Sequence, residues 1–209
     1  MLSARYSYLF FLTFFISCSG FENSQDLSEF VEETTDSDSL QTGTGESQIY
    51  SQLLLSRRRI SPYDHIIKKY SRRYGFDWRL IAAQIFVESR FEVQARSGKG
   101  AIGLMQLMPG TAKYLGADVL KLLLPEQNIA LGCFYDRKLF QLWRDKEGTN
   151  RLAFTLASYN AGRFRILRAE NKAGKSGYWS KVKNYVPLET RNYVGRIFGK
   201  YVEYKKKYF

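Results

Sequence analysis

The 209-residue chain is long enough for one domain of ordinary size plus additional segments, and its 44% hydrophobic residues suffice for a packed core. Basic residues outnumber acidic ones by 32 to 20, a net charge of +12. Basic domains often bind nucleic acid, but this sequence contains no zinc-finger spacing and no recognisable DNA- or RNA-reading motif. We therefore predict an anionic partner that is not nucleic acid.

Residues 1–17 are typical of a signal peptide, because Arg5 precedes an apolar run at 9–16 and then small residues. The run is shorter than the roughly 20 apolar residues that cross a bilayer, which disfavours a transmembrane anchor. The segment Phe15-Ile16-Ser17-Cys18 resembles the bacterial lipobox, in which the cysteine is lipidated and becomes the mature N-terminus, although Phe15 replaces the usual Leu. An ordinary signal peptide with an incidental Cys18 is the alternative.

Charge separates residues 18–57 from the rest of the chain. From Ser19 to Ser56 there are eight acidic residues and no Lys or Arg, among many Ser, Thr, Gln and Gly, which predicts a flexible tether. Residues 58–209 are predicted to form the folded domain, and 57–209 hold 31 basic and 12 acidic residues, a net +19. A carboxylate-rich cell wall or an anionic lipid surface fits an exported basic domain, and a surface that only aids solubility is the alternative.

Helix signals recur through the folded domain and alternating strand patterns are scarce, so we predict a mainly α domain with few or no strands. Ser61 and Asn150 are predicted helix caps, and Gly75 and Gly116 are predicted helix ends. We predict an irregular glycine-rich loop at 97–110. The predicted helices, in chain order, cover 62–74, 78–91, 111–115, 125–143, 150–159 and a segment from 187 toward 207.

Glu88 lies on an apolar helix face, because Ile81 and Ile85 precede it at helical spacing. Burial favours the protonated form of a carboxyl and raises its pKa. A carboxylic acid that keeps its proton near neutral pH is suited to general acid catalysis on a glycosidic oxygen. An ion pair of Glu88 with Arg90 or Arg96 is the structural alternative.

Four segments resemble the motifs of the soluble-lytic-transglycosylase (SLT) domain family, in the family's order. They are Glu88-Ser89-Arg90-Phe91 continuing through 95–112, Asn128-Ile129 with Gly132, Ala157-Ser158-Tyr159-Asn160-Ala161-Gly162, and the segment 187–194. The resemblance covers about residues 61–204, and Ser158 departs from it where the family often has Ala. It implies a lysozyme-like helical domain of the goose type, with a central catalytic helix.

The resemblance also implies roles for individual residues. It makes Glu88 the catalytic acid and base, and it places eight residues in the saccharide cleft: Ser97, Gln106, Met108, Thr111, Tyr159, Asn160, Glu189 and Tyr193. Structural explanations stay open, because Gln106 and Asn160 could satisfy buried backbone groups and Thr111 could cap a helix. We expect no cofactor and no metal site, and Cys133 is predicted to be a buried core residue.

The implied function is that of a peptidoglycan lytic transglycosylase, a non-hydrolytic enzyme that leaves a 1,6-anhydro-N-acetylmuramic acid end. One carboxyl suffices for this reaction, whereas ordinary glycosidases use two. Glu92 is the nearest rival, and we expect it to face solvent. A goose-type muramidase, which hydrolyses the same bond, and a non-catalytic wall-binding module are the alternatives. The expected partners are glycan strands and, through Cys18, the periplasm-facing side of a bacterial membrane, expected to be the outer membrane.

Overall fold

The structure is a computed structural model that describes residues 59–208 and the single residue Ile49. The predicted signal peptide, Cys18 and nearly all of the predicted tether therefore lie outside the described residues. Within 59–208, no helix has both the length and the apolar character that are needed to cross a membrane.

Helices dominate the described residues, as the sequence predicts, and paired extended backbone is limited there to isolated bridges of Ile102 with Arg96 and Leu107. Short 3₁₀ segments, Val119–Leu123 and Lys183–Tyr185, precede the α-helices that begin at Pro125 and Leu188 respectively. The α-helices are α1 (Asp64–Tyr74), α2 (Trp78–Ser89), α3 (Pro109–Tyr114), α4 (Pro125–Leu142), α5 (Gly148–Ala161), α6 (Arg163–Lys172), α7 (Trp179–Val182) and α8 (Leu188–Lys207).

Several helix ends differ from the prediction by one or two residues, including that of α3, which begins at Pro109 within the predicted loop, and three of the differences have a clear local reason. The second helix stops two residues early because Arg90 and Phe91 adopt positive φ angles of 52° and 66°. Ser61 is not the cap of α1, which starts later, and its hydroxyl accepts a hydrogen bond from a backbone N–H before the helix. Asn150 is not a cap either, because α5 has already begun and the Asn150 side chain accepts a hydrogen bond from the backbone N–H of Trp179 at 2.9 Å.

Helices α6 and α7 were not predicted, because each has few buried residues and therefore shows no clear apolar stripe in the sequence. In α6 the buried residues are Ile166 and Ala169, and most of the others are polar. In α7 the buried residue is Val182, while the ring of Trp179 packs edge-on against Phe154 with 5.9 Å between centroids. Both helices thus cover α5 with only one turn of apolar surface each.

The core is built around α2 and α5. Residues 80–85 of α2 are all buried, and α2 packs against α1 and α8. The buried Trp143 ring lies 4.9 Å from Phe154, and its indole N–H donates a 3.0 Å hydrogen bond to Ser158. Ser158, which stands where the family often has Ala, therefore accepts a hydrogen bond from a buried N–H. Cys133 is completely buried, which confirms its predicted place in the core.

Candidate active site

Glu88 occupies the last turn of α2, directly after the buried segment 80–85. Its side chain is half-buried, and burial raises the pKa of the carboxyl from the ordinary 4.5 to about 7 because the charged form is poorly solvated. A hydrogen bond from Tyr193 and the positive charge of Arg196 oppose this effect and lower the pKa. The carboxyl therefore titrates near neutral pH, in the direction that its apolar helix face predicts.

The hydrogen bond to Glu88 comes from a residue that is distant in sequence, near the C-terminal end of the described chain. Tyr193, on α8, donates its phenol O–H to Glu88 Oε1 at 2.6 Å, and only 3% of Tyr193 is exposed. The bond joins the end of α2 to α8. In the described part of the chain Glu88 forms no ion pair with Arg90 or Arg96, the alternative that its sequence neighbourhood allowed.

Side-chain hydrogen bonds hold the glycine-rich loop against the end of α2. Ser89 donates its hydroxyl to the carbonyl oxygen of Leu104 at 2.8 Å. Gln106 has a positive φ of 46°, and its amide donates to the carbonyl oxygens of Ala95 and Gly103 at 3.1 and 2.9 Å. Gln106 therefore satisfies backbone carbonyl groups of the loop, which was the structural alternative to a role in the saccharide cleft. The loop that it holds borders the Glu88 end of α2.

The second family segment, Asn128 to Gly132, anchors this loop to α4. Asn128 accepts a 2.7 Å hydrogen bond from the backbone N–H of Met105, and it donates to the carbonyl oxygen of Ile102 in the loop at 3.0 Å and to that of Leu122 in the 3₁₀ segment at 2.8 Å. A Cβ at Gly103 would lie 2.4 Å from the Asn128 amide nitrogen, and a Cβ at Gly132 would lie 2.2 Å from the Met105 sulfur. Both glycines are thus required by close packing.

Two of the predicted cleft residues lie at the end of α5. Tyr159 donates its hydroxyl to the carbonyl oxygen of Met105 at 2.9 Å, and its ring packs against Tyr135 with 5.3 Å between centroids. The exposed Asn160 accepts a 2.8 Å hydrogen bond from the Thr190 hydroxyl on α8. The tyrosine hydroxyl is therefore used by the loop backbone and not by Glu88.

The remaining predicted cleft residues lie on the loop, α3 and α8. Ser97 is exposed and accepts a 3.0 Å hydrogen bond from a backbone N–H of its own loop. Next to it, Lys99 Nζ lies 3.7 Å from Glu189 Oε2, so the loop faces the start of α8. Met108, 42% exposed, immediately precedes α3, and Thr111 lies within α3 and is not its cap. Among the described residues, Tyr193 is the predicted cleft residue that bonds directly to Glu88.

Two charged or acidic groups near Glu88 were not predicted from the sequence. Arg196 follows Tyr193 by three residues on α8, so helical spacing was a usable signal. Asp136 is 1% exposed on α4, and burial raises its pKa well above the usual range. Its Oδ1 lies 3.4 Å from Gln84 Nε2, and its Oδ2 has no partner in the described structure. Asp136 is therefore an acid enclosed in the core, where burial favours its protonated form, next to Gln84 of α2.

The rival carboxylate Glu92 lies in a more exposed environment than Glu88. Glu92 is exposed beyond the end of α2 and accepts a 3.3 Å hydrogen bond from the backbone N–H of Gln94, which confirms its expected solvent-facing position. Over residues 59–208, no cluster of three or more His, Cys, Asp or Glu residues is arranged to hold a metal ion.

Comparison with known proteins identifies the domain. The family model for the transglycosylase SLT domain matches residues 65–182, more than half of the chain. The chain belongs to this family. The matched segment includes Glu88 and the loop that follows it, whereas Tyr193 lies beyond its end.

Curated relatives of this SLT domain are named membrane-bound lytic murein transglycosylase F. The relative from Desulfosudis oleivorans is 39% identical over 136 residues, which cover 62% of this chain and 29% of the relative. The relative from Photobacterium profundum is 40% identical over 131 residues, 60% of this chain and 25% of the relative. The chain spans less than a third of the length of these relatives.

Solved structures of lytic transglycosylases resemble this SLT domain and confirm its mainly α, lysozyme-like fold. The 70 kDa soluble lytic transglycosylase of Escherichia coli has a TM-score of 0.61 at 26% identity, covering 77% of this chain and 27% of that chain. The lytic transglycosylase Slt of Pseudomonas aeruginosa has a TM-score of 0.59 at 29% identity, covering 70% and 24%.

Proposed function

We propose that this SLT domain is a peptidoglycan lytic transglycosylase in which Glu88 acts first as acid and then as base. The observation that carries the proposal is the half-buried Glu88 carboxyl, with a pKa raised to about 7 and a 2.6 Å hydrogen bond from Tyr193. A group that titrates near neutral pH can give a proton in one step and take one in the next. Membership of the family and the names of the relatives support the same activity.

The first step of the proposed reaction is acid catalysis at the bond between N-acetylmuramic acid and N-acetylglucosamine. Protonated Glu88 gives its proton to the bridging oxygen as the bond to C1 of the muramic sugar breaks. The 2-acetamido carbonyl of the same sugar stabilises the positive charge that develops at C1. The Tyr193 hydrogen bond becomes stronger as Glu88 acquires negative charge, so it favours this step.

The second step is base catalysis by the same side chain. The Glu88 carboxylate removes the proton of the C6 hydroxyl of the muramic sugar, and the C6 oxygen attacks C1 to close a 1,6-anhydro ring. Glu88 regains the proton that it gave up, and no water enters the product. The substrate supplies the nucleophile, so the reaction needs no second carboxylate of the kind that ordinary glycosidases require. This suits a site where Asp136 is enclosed in the core and Glu92 faces solvent.

We further propose that the saccharide runs past the loop, α3, the end of α5 and the start of α8. Surface exposure supports direct sugar contacts for four side chains: Ser97, Met108, Asn160 and Glu189. Gln106 and Tyr159 are already bonded to backbone carbonyl oxygens, so their proposed role is to hold the cleft wall with part of their surface facing the sugar. Thr111 is partly exposed in α3 and completes that wall.

Mass analysis of digested peptidoglycan tests the activity directly. The unmodified protein should release muropeptides that end in 1,6-anhydro-N-acetylmuramic acid, each lighter by one water than the hydrolytic product. Glu88→Gln should abolish release because the amide cannot give and then take the proton, and Glu92→Gln is the matched control that should keep activity. Products with a reducing muramic acid would instead identify a hydrolytic muramidase, and undiminished release by Glu88→Gln would refute the mechanism.

We also propose that the protein is held on the periplasm-facing side of the outer membrane through a lipidated Cys18. The lipobox-like residues 15–18 support this location, and the relatives are named membrane-bound. In this arrangement residues 1–17 are removed as a signal peptide, 18–57 are the tether, and 58–209 are the catalytic domain. Two or more acyl chains would hold the protein firmly, because each buried CH₂ contributes roughly 0.8 kcal/mol.

Fractionation of cells tests the anchor. Cys18→Ala should move the protein from the membrane fraction to the soluble fraction, and Ser19→Ala, the adjacent replacement, should leave it in the membrane. A high-salt wash removes proteins that adhere through charge, since salt screens such contacts. Persistent membrane association of Cys18→Ala after that wash would rule out the lipid anchor.

A further inference from the structure

An open pocket of about 710 Å³ lies between α4, the start of α6 and the end of α3. Its walls are formed by Tyr114, by α4 side chains from Tyr135 onward, and by residues 162–164. No residue proposed above for the saccharide cleft lines this pocket. It is therefore a separate surface, to which the reaction at Glu88 assigns no role.

The charge of this pocket is uniformly positive. Lys138, Arg144 and Arg163 line it, all three are exposed, and no acidic residue is among the lining side chains. In the described part of the chain none of the three forms an ion pair. The neighbouring carboxylate of Asp145 is bound to a different cation, Lys146. Three positive side chains around one cavity favour a ligand with more than one carboxylate.

Aromatic side chains give the same pocket an apolar wall. Tyr114 is 68% exposed and Phe164 is 61% exposed, on two sides of the cavity. The guanidinium of Arg163 lies 4.5 Å from the centre of the Phe164 ring, which holds cation and ring together. Exposed aromatic rings beside cations suit a ligand that has carbon chains as well as carboxylates, such as an acidic peptide.

The pocket adjoins residues of the proposed saccharide cleft at two points. Tyr135 lines the pocket, and its ring packs against the cleft residue Tyr159 with 5.3 Å between centroids. Tyr114 follows Thr111 by three residues within α3, so the two lie one helical turn apart on one face. A strand bound in the cleft would therefore carry its substituents next to the cations.

We infer that this pocket, which we call the basic pocket, binds the acidic stem peptide that projects from the glycan strand. The inference rests on the proposed function, because it takes the strand in the cleft to be peptidoglycan. The carboxylates of the peptide meet Lys138, Arg144 and Arg163, and its aliphatic parts lie against Tyr114 and Phe164. The basic pocket thereby makes the domain prefer strands that carry peptides over bare glycan.

Binding measurements separate this inference from the catalytic proposal. All variants carry Glu88→Gln so that strands are not consumed, and the ligands are soluble glycan strands with stem peptides and the same strands after an amidase has removed them. The amidase-treated strands keep one lactyl carboxylate per muramic acid, so they are not uncharged. The pocket variant replaces Lys138, Arg144 and Arg163 by Gln. The matched control replaces the exposed Lys205, Lys206 and Lys207 by Gln, which removes the same charge elsewhere.

The pocket variant should raise the Kd for peptide-bearing strands about fivefold to tenfold at low salt while changing the Kd for peptide-free strands little, as expected for the loss of three exposed charge contacts. The control should raise the Kd for peptide-bearing strands by a clearly smaller factor than the pocket variant does, because it removes the same charge away from the pocket. Equal weakening on both strands would make the basic pocket a sugar or general anion site and overturn the inference, and no weakening on either would overturn it too. Failure of the Glu88 mechanism would appear in the cleavage products, either as reducing muramic acid from the unmodified protein or as release by Glu88→Gln, so the two failures are distinguishable.

Discussion

Glu88→Gln should stabilise the fold at alkaline pH and leave its stability nearly unchanged at acidic pH. The pKa of Glu88 is raised from 4.5 to about 7 in the folded protein, so folding favours the protonated carboxyl. The contribution of this group to stability is complete below pH 4.5 and is lost as the pH rises through 7. At about 1.4 kcal/mol per pKa unit, the shift corresponds to about 3 kcal/mol.

The difference in the free energy of unfolding between Glu88→Gln and the unmodified protein should grow with pH, because only the unmodified protein must bury a charged carboxylate. Since solvent reaches part of the Glu88 side chain, we expect Glu88→Gln to be about 2 kcal/mol more stable than the unmodified protein at pH 8.5. For a domain of this size that difference raises Tm by about 4–8 °C. Gln cannot ionise, but its side-chain oxygen can still accept the Tyr193 hydrogen bond, so the replacement isolates the effect of charge.

Urea unfolding at pH 4.5 and pH 8.5 measures this difference, with thermal unfolding as a second readout. Glu92→Gln, at an exposed position, is the matched control and should leave the unfolding curves unchanged at both pH values. An equal difference in the free energy of unfolding between Glu88→Gln and the unmodified protein at both pH values would contradict this prediction. That result would mean that Glu88 is well solvated in the folded protein.

Three further replacements test the surroundings of the acid. Tyr193→Phe removes the hydrogen bond that lowers the pKa of Glu88, so the alkaline limit of cleavage, read from the pH dependence of kcat/KM, should move to higher pH. Gly132→Ala puts a Cβ 2.2 Å from the Met105 sulfur and should lower the free energy of unfolding in urea by about 1–3 kcal/mol. Asn128→Leu leaves the backbone N–H of Met105 without its acceptor, at a cost of at least about 2 kcal/mol in the same assay. Unfolding midpoints equal to that of the unmodified protein would contradict both packing predictions.

The positions of the helices could be predicted because their signals are local. Gly75 ends α1 with a φ of 75°, as a glycine after an apolar stripe indicates. The end of α2 could not be predicted in this way, since Arg90 and Phe91 have left-handed φ angles without being glycine. Such conformations persist only where the surrounding structure imposes them. Here the backbone turns sharply into the loop that the motif residues then hold.

The environment of Glu88 on its own helix could be predicted, but its contacts with other helices could not. The spacing of apolar residues along a single helix predicts the apolar face around Glu88, and the raised pKa of the Glu88 carboxyl follows from that face. The hydrogen bond from Tyr193 depends on how α8 packs against α2, which no local pattern contains. Asp136 falls on the same stripe of α4 as the buried Cys133, so an acid within an apolar stripe was a signal that sequence reasoning did not use.

The bond between Glu88 and Tyr193 also has a consequence for the order of folding. The two residues are 105 positions apart, and the phenol comes from the last of the described helices. Contacts of such large separation form only after a long stretch of chain has been ordered, at a cost in loop entropy. During synthesis α2 leaves the ribosome well before α8, so the acid exists for a time without its hydrogen-bond donor. The hydrogen-bonded environment of Glu88 is therefore completed only when α8 docks on α2.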